Sequence, residues 1–110
     1  MLILRDDEAQ AVVEAVRALG KAVIRDRVAD YRARNEFPHD VHRALADGGL
    51  LGGLVPPEWG GAGMSYVTYV EMLEELSTFD HVMAGQAAHA SGLLGAGILS
   101  FGTDEQRETF

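Results

Sequence analysis

His39, Asp40 and His42 are the residues of this chain that first invite a chemical reading, because histidines at i and i+3 on a helix share a side, as paired metal ligands do. No other ligand type clusters with them, so they read as polar residues at a helix start and no metal site is expected. His81 reads as a first-turn surface residue. His89 lies amid a run of small residues, where it is either a hydrogen-bonded core histidine or a ligand-facing one, and the residues alone leave both open. Ser65, Ser77, Ser91 and Ser100 stand outside any nucleophile elbow. Glu74 and Glu75 are adjacent on a helix and point different ways, so they do not form an acid–base pair. Gly60-Gly61-Ala62-Gly63 and Gly92-Leu93-Leu94-Gly95-Ala96-Gly97 lack a preceding strand and the Lys-Ser/Thr of a phosphate-binding loop. No complete active site is expected, and no catalytic residue is assigned.

These residues must be positioned by helices. From Ala9 to Ile24 the apolar residues recur at three and four, with Asp7 and Gln10 as a capping pair and Gly20 inside the helix, where a bend or a close backbone approach is expected. Pro38 opens a second helix with Val41, Ala44 and Leu45 on its apolar stripe, and Gly48-Gly49 closes it. Ser65 caps a third, with Tyr66, Tyr69, Val70, Leu73 and Leu76 on one face. Asp80 caps a fourth that runs to Phe101 and stops at Gly102. Its many small residues imply close neighbours and an enclosed, central position. Thr103 to Gln106 is a capping box that starts a fifth helix. Between the second and third lies Gly49 to Gly63, apolar, glycine-punctuated and stiffened by Pro56-Pro57, which reads as a buried, irregular connector. The expected fold is an all-α bundle of about five helices in one domain, residues 1–110.

The 110 residues carry a net charge of −8, and 47% of them are hydrophobic. That is enough apolar material for one core, and the acidic balance argues against nucleic acid as a partner. There is no cysteine and hence no disulfide framework, which points to a reducing cytoplasm. Val82 to Phe101 is long enough for a membrane span, but its Ala and Gly content with Gln86, His89 and Ser91 favours the interior of a soluble bundle.

The order of parts is that of a known family: Glu36-Phe37-Pro38, Leu45 through Gly49-Leu50-Leu51-Gly52, Val55-Pro56-x-Glu58-aromatic-Gly60-Gly61-x-Gly63, Glu74-Glu75-Leu76, and Phe101-Gly102-Thr103-x-Glu105-Gln106. From about residue 6 onward the chain resembles the N-terminal helical domain of the acyl-CoA dehydrogenase family, departing at Pro57 and Val28. The resemblance implies a three-part enzyme in which a β-barrel domain and a C-terminal helical domain, neither present in these residues, hold most of the FAD. It implies α,β-dehydrogenation of an acyl thioester: a carboxylate takes the α-proton, hydride passes to the flavin, and an electron-transfer partner reoxidises it. The base would lie outside these residues, so alone they are expected to be inactive. The family register places Gly85, His89, Ala90 and Leu93 toward the acyl group, as one wall of its pocket. The resemblance is compatible with an acyl-carrier-protein dehydrogenase or a flavin monooxygenase of the same fold, and the residues alone with a non-catalytic interaction module. A homo-oligomer is expected, through apolar faces of the third and fourth helices.

Overall fold

The computed structural model describes residues 6–109. Its helical segments form five rods, and no strand occurs among the described residues. The all-α expectation therefore holds.

The first rod joins α1 (Asp7–Leu19), a π turn (Gly20–Ile24) and α2 (Arg25–Ala33). Its cap is Asp6, one residue before the expected Asp7: the Asp6 carboxylate accepts from the Ala9 amide at 2.8 Å. Asp7 and Glu8 then lie in the first turn, where acidic side chains suit the free amides of a helix start. Gly20 has an unexpected cause. What approaches it is a ring and not backbone, since a β-carbon there would lie 2.4 Å from Phe79 Cδ2. The rod ends as Asn35 turns left-handed at φ 54 and the Glu36 amide returns to the Tyr31 carbonyl at 2.9 Å.

Pro38 precedes α3 (His39–Asp47) as its cap and not as its first residue. Val41 and Leu45 are buried there. Gly49, at φ 77, reverses the chain so that the Leu50 amide reaches the Leu45 carbonyl at 3.0 Å. A single 3₁₀ turn (Pro57–Trp59) interrupts the connector that follows.

Ser65 caps α4 (Tyr66–Ser77) as its sequence predicts, accepting from the Thr68 amide at 3.2 Å. The buried face is Thr68, Tyr69, Met72 and Leu76. Tyr66 and Val70, expected on one face with Tyr69 and Leu76, are exposed at 73% and 56%. The apolar stripe of α4 is wider than its buried face, even with Glu71, Glu74 and Glu75 on the helix, so packing against α1 and α5 and not the period alone fixes its rotation. Asp80 caps α5 (His81–Ala87) through the Met83 amide at 2.9 Å, and a π segment (Ala88–Gly95) joins α5 to α6 (Ala96–Phe101).

This fourth rod is less central than expected. Met83, Ala84, Ala87 and Ser91 are buried, but Leu93, Leu94 and Phe101 are exposed, because its second half meets the connector and the last helix and not the main core. At 21 residues it is long and apolar enough to cross a bilayer by length and composition, a test that core helices also pass. Finally, α7 (Asp104–Thr109) begins with a reciprocal box: Gln106 N–H donates to the Thr103 hydroxyl at 3.2 Å, and Thr103 N–H to the Gln106 side chain at 2.9 Å.

The core runs through Val16, Ile24, Val41, Leu45, Met72, Leu76 and Met83, all inaccessible to solvent. Each contributes about 1.5–3 kcal/mol by burial before chain entropy is counted.

Candidate functional site

The connector is a closed loop. Its chain crosses back so that Ala62 N–H donates to the Gly52 carbonyl at 3.0 Å, Gly63 N–H to Val55 at 2.9 Å and Met64 N–H to Gly53 at 2.8 Å. Gly61 makes the crossing possible, since a β-carbon there would lie 2.0 Å from the Val55 carbonyl oxygen. The loop is less buried than its composition predicts. Leu50 and Gly53 are enclosed, whereas Leu51, Leu54, Val55 and Trp59 keep partial exposure. These half-buried side chains face something: a groove of about 430 Å³ opens between the loop and the fourth rod.

Leu51, Val55 and Trp59 form one side of the groove, and Ala90, Leu94, Ile98 and Leu99 the other, with Arg107 at its end. The arginine is engaged, donating to Asp104 at 2.9 Å and to the Leu99 carbonyl at 3.0 Å. The groove is thus an apolar surface with one paired cation, suited to packing and not to proton transfer. Its far wall is the stripe Ala90, Leu94 and Ile98, four apart, a spacing visible in the sequence but not singled out there.

Of the residues that the sequence places toward a ligand, Ala90 lines this groove. Gly85 lies in a shallower depression against Val70, Leu73 and Ser77 of α4. His89 and Leu93 are exposed. The structure thus distributes the four along two sides and the outer surface of one rod. His89 Nδ1 lies 2.7 Å from the Gly85 carbonyl oxygen. A carbonyl only accepts, so Nδ1 donates to it and Nε2 takes no part in that bond.

His39 and His42 flank the Phe37 ring, with centroids 4.9 and 5.7 Å away. Burial pulls the neighbouring Asp40 carboxyl upward, but the Tyr31 phenol, the Arg27 guanidinium and the Val41 amide outweigh it and hold the group below its usual value. Asp40 serves the junction of α2 and α3. No group of three or more potential metal ligands occurs among the described residues.

Fold and site together define an all-α domain whose groove is walled by apolar side chains. The model of the acyl-CoA dehydrogenase N-terminal domain matches residues 6–110. The chain therefore belongs to the acyl-CoA dehydrogenase family, an oxidoreductase family, as its N-terminal domain. Relatives include a 3-(aryl)acrylate reductase of Clostridium sporogenes, 37% identical over 68% of this chain and 20% of its own length. A probable acyl-CoA dehydrogenase, YngJ of Bacillus subtilis, is 30% identical over 93% of this chain and 27% of its own. The fold matches butyryl-CoA dehydrogenase from Megasphaera elsdenii with a TM-score of 0.88 at 22% identity, covering all of this chain and 30% of that one. The chain thus spans about a fifth to a quarter of the curated relatives' length.

Proposed function

We propose that these residues serve a flavin-dependent oxidoreductase acting on an acyl thioester, in which they supply one wall of the acyl pocket while the reacting groups lie in other domains. The observation that carries this reading is the outer face of the fourth rod. His89 and Leu93 stand exposed on it, so no described residue covers that part of the rod, while Gly85, where a β-carbon would meet nothing within 4 Å, opens on the shallow depression beside α4. Ala90, on the groove side of the same turn, completes the set as the residue that ties this face to the connector.

FAD, which the family implies, does not fit these residues alone. The amides of Gly60, Gly61, Ala62 and Gly63 all donate to carbonyls of the connector itself, so the glycine loop offers no donors to a pyrophosphate. The flavin belongs to the other domains of a full-length protein, and an electron-transfer protein is its proposed reoxidant. Exposed Tyr66, Val70, Leu93 and Phe101 are the surfaces proposed to meet those domains or a second subunit. The proposed location is the cytoplasm.

Within that pocket the His89 imidazole adds bulk and a polar atom to the wall, which disfavours long unbranched chains. The test is kcat/KM of the full-length enzyme across acyl-CoA chain lengths. His89→Ala is expected to raise the long-chain value relative to the short by roughly tenfold. An unchanged profile with normal flavin content would remove His89 from the wall.

A further inference from the structure

Tyr69 reaches from α4 into the middle of the fourth rod at the point where that rod changes its winding. The side chain is almost wholly enclosed, and its hydroxyl donates to the Ala88 carbonyl at 3.2 Å. Ala88 is the first residue of the π segment (Ala88–Gly95). One turn on, a β-carbon at Gly92 would lie 2.7 Å from the same hydroxyl oxygen, with the next ring atoms at 3.6 and 3.9 Å. A π turn sends each amide to the fifth carbonyl back instead of the fourth, which strains the ladder where α and π winding meet. At that junction the phenol takes a backbone carbonyl and fills the space above a glycine. Two further side chains bond carbonyls of the same stretch: His89 that of Gly85, and Ser91 that of Ala87 at 3.3 Å.

We propose that Tyr69 is a positioning residue: with Gly92 it holds the fourth rod in its wide winding and so sets the direction in which His89 and Leu93 leave the rod. Only the consequence for substrate rests on the acyl-wall reading above. Without the hydroxyl, the Ala88 carbonyl loses its side-chain donor and the segment returns toward α winding, turning the residues after Ala88 around the axis. Gly92 is required by the hydroxyl and not by its own backbone, whose φ is not in the left-handed region.

Gly92→Ala separates this idea from ordinary packing by the sign of its effect. Alanine improves helix propensity, so where nothing obstructs it the substitution stabilises. With Tyr69 present it meets the hydroxyl at overlap distance, and Tm is expected to fall by roughly 5–15 °C. In the Tyr69→Phe background the nearest remaining ring atom is at ordinary contact distance, and Gly92→Ala is expected to raise Tm. Backbone chemical shifts and amide exchange over residues 88–95 of this chain report the winding directly, and Tyr69→Phe is expected to move them. Additive Tm effects, or unmoved shifts in Tyr69→Phe, would overturn the proposal while leaving the acyl-wall reading intact. In the full-length enzyme, Tyr69→Phe is expected to change the ratio of kcat/KM between short and long acyl thioesters by about tenfold at normal flavin content. A changed winding with an unchanged ratio upholds the lock and refutes the acyl wall.

Discussion

Asp80 joins two rods with one carboxylate, and the share of each job can be worked out. Its side chain is 2% exposed, whereas that of Arg32, 2.7 Å away on α2, is 65% exposed. One oxygen caps α5 through the Met83 amide, and the other takes the guanidinium. Losing an N-cap costs about 1 kcal/mol. The ion pair ends on a solvated cation, so screening limits it to about 0.5–1 kcal/mol. Asp80→Ala should therefore cost about 2 kcal/mol, a Tm fall of roughly 10 °C. Asp80→Asn keeps a cap acceptor and loses the charge, so it should cost only the smaller share, as should Arg32→Ala, because water replaces an exposed guanidinium. Urea unfolding of the single variants and of Asp80→Asn with Arg32→Ala separates the contributions. In 1 M salt the cost of Asp80→Asn should shrink, while the difference between Asn and Ala persists. If Asn costs as much as Ala, and Arg32→Ala costs more than about 2 kcal/mol, the ion pair and not the cap holds this corner, and the reasoning fails.

Gly61→Ala drives a methyl into the Val55 carbonyl, a backbone atom that cannot rotate away, and is expected to cost about 3 kcal/mol or more. The single tryptophan, Trp59, lies in the same loop, so its fluorescence should shift along with the loss in Tm; an unchanged spectrum and Tm would refute the crossing. Asp40 titrates below its reference of 3.8, so its contribution is complete above that value and lost as pH falls through the lower folded one. The Tyr31 phenol is raised above 10.0, first by its hydrogen bond to Asp40, so its contribution is present below pH 10.0 and lost as pH rises through the higher folded value. Tyr31→Phe should flatten the stability–pH curve on both limbs and leave its slope unchanged at neutral pH. A curve parallel to that of the unsubstituted protein would remove the Tyr31–Asp40 pair.

Features whose cause is local were legible in the sequence. Ser65, Asp80 and the Thr103–Gln106 box cap the helices they were assigned, because a cap needs only three or four consecutive residues. Features caused by another element were not. The Phe79 ring closes over Gly20 where the first π turn begins, and the Tyr69 hydroxyl bonds the Ala88 carbonyl where the second begins; neither partner is near in sequence. The rotation of α4 was missed because Tyr66, Val67, Tyr69, Val70, Met72 and Leu73 leave little polar face to orient it. Spacing by four groups Gly85, His89 and Leu93 on an ideal α-helix, but a π segment lies between the first and last, and face assignments do not carry across a change of winding. The groove was not legible: the connector read as buried, and the stripe opposite it needed the loop's closure to acquire a partner.

That closure has a consequence for how the domain tolerates change. Because the connector satisfies its crossing amides within itself, the separation of α3 and α4 is set by the crossing at Gly52, Val55 and Gly61 and not by the turn beyond it. Pro57 and Glu58, exposed at the outer end, nevertheless stay tied to the crossing, since the Pro57 carbonyl takes the Gly60 amide and a β-carbon at Gly63 would lie 2.9 Å from Pro57 Cδ. The outer turn and the crossing therefore act as one unit, and an insertion between Pro57 and Glu58 is expected to lower Tm by undoing both.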